Sequence, residues 1–414
     1  MPRNTKPVVV MKFGGTSVAD PEKIQRAAER AIALKRKGKS VVVVVSAPGK
    51  MTDELIGLAR QICPNPNPRE LDALVSTGET ISTALFAMAL ETRRCNAISL
   101  TGPQAGFEAE GEHTRATITR IRPARIRKEL TAGRVVIVAG FQAANRRHEI
   151  TTLGRGGSDL SAVALAAALK AEACEIYTDV KGVYTADPRM VSKARLIPRL
   201  SYEEMLELSA AGAQVMLARS IEVAQRYGVR IHVRSSFHPA AGTIIESLSE
   251  KKMEQANVSS LALDKSEIRL SVVEVPDRPG IAAKVLAKLA EDGVPVDLIV
   301  QSAATSAGVN DISFMTPRAH ASDAKKSLST LAKKLGARGV DVQDRVVKLT
   351  AVGTGFRRHP KIAATMFAAL AKARINIQMI STSDLRVSCV IDGKHGEKAL
   401  RLLHKAFGLD KKKR

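Results

Sequence analysis

Three runs of β-branched residues, each ending in small or polar residues, constrain this chain most. Val8-Val9-Val10-Met11-Lys12-Phe13 runs into Gly14-Gly15-Thr16-Ser17. Val41 to Val45 runs into Ser46-Ala47-Pro48-Gly49-Lys50-Met51-Thr52-Asp53. Val135 to Ala139 is followed by Thr151-Thr152-Leu153-Gly154-Arg155-Gly156-Gly157-Ser158-Asp159, which opens into a helical run from Leu160 to Leu169. Continuous apolar strands belong to parallel sheets covered on both faces. In such sheets ligands bind beyond the carboxyl ends of the strands, so one shared cleft accounts for all three runs.

The third run carries the most chemistry. Its glycines let backbone N–H groups approach an anion at the positive end of a helix dipole. Arg155 adds a planar fork suited to a carboxylate or phosphate. Ser158 and Asp159 also occupy positions expected of an N-cap, so the turn by itself reads equally as a capped helix start. In the first run Lys12 precedes the glycines, which is not Walker spacing but does suit a cation held against phosphate oxygens.

Up to about residue 250, strand and helix signals alternate. Strands are predicted at 7–13, 41–46, 96–100, 135–140, 174–178 and 230–234, and helices at 21–37, 52–62, 70–90, 122–131, 159–170, 202–211 and 217–227. Alternation of this kind predicts α/β architecture with a mainly parallel sheet. With 414 residues the chain has room for two or three domains. Its apolar runs fall short of the ~20 residues of a membrane span. The start reads as free of a secretory signal, and Cys63, Cys95, Cys174 and Cys389 lack metal-ligand spacing, so the expected class is a cytoplasmic enzyme with no membrane partner and no protein-held metal. The formal net charge of +23 is spread along the chain, Trp is absent and aromatics make up 3%. Stacking platforms are therefore scarce, and a dedicated nucleic-acid function is not expected.

Beyond residue 250 an internal repeat begins. Pro279, Ile281, Ala282, Ala283, Leu289, Ala290, Val294, Val296, Leu298 and Ile299 match Pro360, Ile362, Ala363, Ala364, Leu370, Ala371, Ile375, Ile377, Met379 and Ile380 in order and spacing. Each copy predicts a small ferredoxin-like β-α-β-β-α unit, and two such units side by side can form a ligand pocket.

With these residues laid out, the chain resembles the monofunctional aspartokinases, members of the amino acid kinase family with two C-terminal ACT domains. The resemblance rests on Lys12-Phe13-Gly14-Gly15-Thr16-Ser17, Ser76-Thr77-Gly78-Glu79, Gly140-Phe141-Gln142, Thr151 to Asp159, and Thr178-Asp179-Val180 with Gly182 to Arg189. In the C-terminal part, Val275-Pro276-Asp277-Arg278-Pro279-Gly280 and Ile380-Ser381-Thr382-Ser383 are similar to the two ACT signatures. It implies a three-layer kinase sandwich over 1–250, followed by βαββαβ ACT units over 265–340 and 346–410.

The implied reaction moves the γ-phosphoryl of ATP, with Mg2+, to the side-chain carboxylate of L-aspartate. This would be the first step of lysine, threonine and methionine synthesis. A carboxylate is already ionised at neutral pH, so positioning and charge neutralisation are the catalytic tasks. By resemblance, Lys12 and Asp159 are catalytic. Thr52, Glu79, Phe141, Arg155 and Ser158 bind substrate. Lys12, Gly14, Gly15, Thr16, Ser46, Thr178, Asp179, Tyr184 and Arg189 bind nucleotide. Effector contacts fall at Asp277, Pro279, Gly280, Gln301, Asn376 and Ile377, for lysine, threonine or both, in a homo-oligomer built through the ACT units. Met253 offers an internal start that would yield a free ACT subunit.

The sequence departs from the family pattern at Lys181, at Gln214, at Ala143 after Gln142, at Ser302-Ala303-Ala304 and at Lys361. Gln214 stands where a nucleotide-contacting lysine is common. A catalytically impaired regulatory subunit is the alternative these changes raise, and the intact Lys12, Glu79, Arg155 and Asp159 argue against it.

Overall fold

The valine runs become the interior of one large sheet. All of Val41–Val45 and Val135–Ala139 are buried, as expected of β-branched residues with helices on both sides. The structure, a computed structural model, describes residues 6–213, 215–248 and 257–411. Gln214, Met253 and the terminal Lys412-Lys413-Arg414 lie outside the described residues.

The chain divides into two compact units. The first comprises Met1–Val183, Leu196–Ser209 and Gln214–Ser249, and the second Tyr184–Arg195, Ala210–Ala213 and Glu250–Arg414. In the first unit an eight-stranded sheet runs in the order Arg199–Leu200, Thr243–Ile245, Ile231–Ser235, Ala173–Thr178, Val8–Phe13, Ser40–Val45, Val135–Ala139 and Ala97–Leu100. Every pairing is parallel except that of Ile231–Ser235 with Thr243–Ile245.

Strand alternation sorts the first strand between two layers. Val9, Met11 and Phe13 pack with Ile24, Ala28 and Ala31 of helix Pro21–Arg36 and with Phe86 and Leu90 of helix Thr77–Glu91. Pro21 opens the first of these helices, and the Asp20 side chain caps it by accepting from Lys23 N at 2.9 Å. Lys12 points to the opposite face, where helix Gly157–Leu169 lies, almost entirely buried.

Two expectations need correction. The single helix predicted at 70–90 is two helices, Pro68–Val75 and Thr77–Glu91, meeting at Ser76. The Ser76 carbonyl accepts from Gln142 Nε2 at 2.8 Å and Thr80 Oγ1 at 3.2 Å, which holds the junction in place. The stretch Pro68–Glu91 is also, at 24 residues and a mean hydropathy of 1.4, long and apolar enough to cross a bilayer by those two measures. Half of its most apolar window is buried inside the protein; Phe86 and Leu90 belong to the core just described. Sequence reasoning also missed a small sheet ordered Thr117–Ile121, Phe107–Glu110, Gln142–Ala144 and Ile150–Thr152, whose strands are too short to show a period.

The second unit holds two four-stranded antiparallel sheets, one per repeat. The first repeat forms Asp297–Gln301, Val309–Pro317, Glu267–Pro276 and Gly339–Gln343, in that order. The second forms Val346–Thr354, Arg386–Asp392 and Ile377–Thr382, and takes its fourth strand from Asn257–Asp264, ahead of the first repeat. Helices Ile281–Glu291 and Ala321–Leu335 pack on the first sheet, and Lys361–Lys372 and Gly396–Ala406 on the second. Leu298 and Met315 meet Val346, Met379 and Val390 between the sheets. Buried Lys348 ties them together, with Nζ 2.8 Å from Glu267 and 2.5 Å from Asp297. Cys174 and Cys389 are buried free thiols; burial raises both, the latter to about 12, so neither is a reactive thiolate.

Candidate active site

Lys12 of strand Val8–Phe13, Ser46 after strand Ser40–Val45, Phe141 after Val135–Ala139, the start of helix Gly157–Leu169, and helices Met51–Ile62, Pro68–Val75 and Thr77–Glu91 line a cavity of about 380 Å³. Small polar ligands are held in clefts of this size.

One end is a charge pair. Lys12 Nζ lies 2.6 Å from Asp159 Oδ1, both side chains 12% exposed. Asp159 sits in the first turn of its helix, where a negative charge is favoured. The cap expected from Ser158 or Asp159 is not formed. The N-cap is Gly156, without a side-chain hydrogen bond, and both side chains face the cavity instead. Gly156 adopts φ 72°, and a Cβ there would stand 2.9 Å from Leu217 Cβ, so the turn requires glycine.

The other end carries unpaired charge. Glu79 is 2% exposed. Its Oε1 accepts from Ala47 N at 3.0 Å, while its Oε2 is buried with no hydrogen-bond partner among the described residues. Burial pushes its carboxyl up to about 7, with the Ala47 N–H and the Lys12 charge opposing the shift. Arg155 lines the same cavity and, among the described residues, forms no salt bridge. Ser46, Thr52, Phe141 and Ser158 complete the predicted set that the structure brings together. Phe141 adopts φ 66°, held by its own N–H donating to Ser161 Oγ at 3.0 Å.

The predicted nucleotide residues scatter more widely. Gly14, Gly15 and Thr16 form the turn after Lys12 but do not line the cavity. The Gly14 N–H donates to Tyr177 O at 3.2 Å. Gly15 cannot carry a side chain, because a Cβ would stand 2.8 Å from Ala47 O. Thr178 and Asp179 end the neighbouring strand and pair with each other, Thr178 Oγ1 donating to Asp179 Oδ1 at 3.1 Å. Tyr184 and Arg189 belong to the segment Tyr184–Arg195 of the second unit. There Arg189 pairs with Asp187 at 2.7 Å and holds its carboxyl below the usual range. The Tyr184 carbonyl accepts from Ser260 Oγ, and Thr185 Oγ1 bonds buried His404 Nε2 at 2.9 Å. Lys181 is exposed.

The candidate effector residues also lie in the second unit. Asp277, Pro279 and Gly280 share one turn, with Gly280 at φ 90° opening helix Ile281–Glu291. Asp277 accepts from buried Asn310 Nδ2 at 2.9 Å, while Asn310 Oδ1 has no hydrogen-bond partner among the described residues. Gln301 ends a strand of the same sheet; Ile377 begins a strand of the other, with Asn376 just before it.

Comparison with known proteins places this geometry. Residues 7–235 match the Amino acid kinase family, and 268–331 with 349–407 match the ACT domain. An aspartokinase of Mycolicibacterium smegmatis is 48% identical over 97% of this chain and 96% of its own length. The chain belongs to the aspartokinase family. Aspartokinase III of E. coli, solved in complex with aspartate and ADP, superposes with a TM-score of 0.79 at 28% identity, covering 96% of this chain and 99% of that one. The same enzyme with lysine and aspartate gives 0.75 at 26% identity, covering 97% and 99%. Membership makes the chain an aspartate kinase with ACT domains, and ATP is the nucleotide that kinase chemistry calls for.

Asp53, Asp72 and Thr114 also line the cavity and are not among the site residues the resemblance implied; Thr152 and Gly154 line it from within the glycine-rich run. Asp72 had a readable signal, since it shares a helix face with Val75 three residues on.

Proposed function

We propose that this chain transfers the γ-phosphoryl of ATP to the side-chain carboxylate of L-aspartate, giving 4-phospho-L-aspartate for lysine, threonine and methionine synthesis. The observation that carries the reading is one small cavity holding a preformed Lys12–Asp159 pair beside the unpartnered Glu79 carboxylate and Arg155. Arg155 binds the α-carboxylate as a fork, and the free Glu79 oxygen receives the α-ammonium. Thr52, Phe141 and Ser158 line the space between. The substrate's side-chain carboxylate is its own nucleophile, so no general base is needed. Lys12 stabilises charge on the transferring phosphoryl, and Asp159 orients Lys12.

Ser46, Gly15, Thr16, Thr178 and Asp179 serve the nucleotide from the strand ends. Mg2+ belongs to this reading as the companion of ATP. Asp179, exposed at a strand end, is a hard oxygen donor of the kind Mg2+ accepts beside phosphates and water. When bound, the ion neutralises phosphate charge.

The kinase region is assigned to 1–250 and the ACT units to 265–340 and 346–410. Lysine, threonine or both act at the Asp277–Gly280 turn and at Gln301, Asn376 and Ile377. The unpartnered Asn310 Oδ1 beside Asp277 supports a polar ligand there. Homo-oligomerisation through the ACT units and a cytoplasmic location complete the proposal. Coupled ADP-release assays with L-aspartate, run with and without lysine and threonine, test it. Aspartate-dependent turnover that falls with either amino acid is expected; no turnover with aspartate overturns the reading.

A further inference from the structure

Asp72 lies in the cavity wall with 0% exposure, and no lysine or arginine pairs with it among the described residues. Four donors converge on its carboxylate instead. Oδ2 accepts from His113 Nδ1 at 2.8 Å, Thr114 N at 2.9 Å and Thr152 N at 3.1 Å. Oδ1 accepts from Thr152 Oγ1 at 2.5 Å. Three of these bonds converge on Oδ2 and one on Oδ1, so both oxygens are engaged by the protein itself.

These donors come from different walls. Asp72 itself stands on helix Pro68–Val75, which passes through Ser76 into the helix that carries Glu79. Thr152 ends the strand that leads into Gly154 and Arg155. His113 and Thr114 belong to the loop packed on that strand, where Ala116 N donates to Thr152 O at 2.9 Å. Thr114 adopts φ 69°, and its carbonyl stands 3.2 Å from where a Cβ on Gly154 would lie. One buried carboxylate therefore fastens the Arg155 loop to the Glu79 helix.

We propose that Asp72 is a positioning residue that fixes the separation of Arg155 and Glu79, and with it the length of acidic amino acid the cavity accepts. This rests on the reading that those two groups hold the α-carboxylate and α-ammonium. The ruler works by geometry. With both anchors fixed, the aspartate carboxylate reaches the transfer point in line, and one added methylene carries the glutamate carboxylate past it. Loosening the fastening frees the anchors, which weakens aspartate binding and blurs the length limit.

Asp72→Asn keeps the volume but turns one acceptor into a donor that faces donors. The milder Thr152→Val removes only the hydroxyl bond. Steady-state kinetics with L-aspartate, L-glutamate and ATP, with thermal melting to follow folding, read the effect. In Asp72→Asn the KM for aspartate is expected to rise on the order of 10- to 100-fold, more than kcat falls. The ratio of kcat/KM for aspartate over glutamate narrows, while KM for ATP stays at the wild-type value. Thr152→Val shifts the same quantities in the same direction by less, and decides the matter if Asp72→Asn does not fold. Wild-type selectivity in a folded variant overturns the proposal, as does a KM for ATP that rises in parallel with that for aspartate. A wild-type enzyme that does not turn over aspartate would instead overturn the function on which the proposal rests.

Discussion

The two ends of the cavity treat charge in opposite ways. At one end Lys12 and Asp159 neutralise each other across 2.6 Å before any ligand arrives. At the other, Glu79 keeps one carboxylate oxygen buried and unpartnered, and Arg155 has no acidic partner among the described residues. A pair that is already oriented costs little reorganisation when phosphoryl charge shifts, which favours the transition state. Charges without a partner of their own in the protein gain most when a zwitterion binds, which favours ground-state binding. One end should therefore govern kcat and the other KM.

The sharpest way to break this division is Lys12→Ala. It is expected to lower kcat by about 10²- to 10³-fold with a small change in KM for aspartate. An effect mainly on KM would assign Lys12 to binding and erase the contrast. Arg155→Ala should do the reverse, raising KM for aspartate by roughly 10- to 100-fold, in keeping with the loss of a charge-assisted contact. Equal falls in kcat and kcat/KM would place Arg155 at the transfer end.

Glu79 sharpens the comparison through pH. Burial pushes its carboxyl up to about 7, and only the ionised form attracts an ammonium. KM for aspartate should rise severalfold as pH falls from 8 to 6, and Glu79→Gln should be insensitive across the same range while binding aspartate poorly. A wild-type KM that stays flat over this window would contradict the assignment.

The smallest effect is on stability. Burial raises the Glu79 carboxyl from 4.5 to about 7, so the folded chain binds that proton more tightly than the unfolded chain. Ionised Glu79 thus destabilises the fold above pH 7, and the penalty fades as pH falls toward 4.5. Glu79→Gln should melt a few degrees above wild type at pH 8, with the difference shrinking toward pH 5. A variant that melts lower at pH 8 would show that the charge is compensated in the folded chain.

The transfer end was the more legible in sequence. Lys12 follows a valine run and Asp159 follows three glycines, so local pattern put both at strand or helix termini facing one cleft. The unpaired Oε2 of Glu79 was not readable, because it depends on burial and on which backbone N–H groups the fold brings to the carboxylate, those of Ala47 and of Glu79 itself. For Asp72 the helix face was readable but its bonding was not, since its donors lie about 40 and 80 residues further along the chain. The repeats were visible from spacing alone. The strand Asn257–Asp264 was not assigned to the second repeat, since its partner Val346–Thr354 lies beyond the whole first repeat. Sequence also put Tyr184 and Arg189 with the kinase motifs, whereas Ala186 and Val191 of that segment pack in the core of the second sheet.

The central claim is that this cavity presents the side-chain carboxylate of aspartate for phosphoryl transfer. Its most direct test is acyl-phosphate trapping. The purified protein is incubated with Mg·ATP, hydroxylamine and either L-aspartate or L-glutamate, and hydroxamate is measured. Hydroxamate from aspartate, with little from glutamate, is the predicted result, because the longer side chain overshoots the in-line position. Equal yields from the two amino acids, or none from aspartate, would contradict the account.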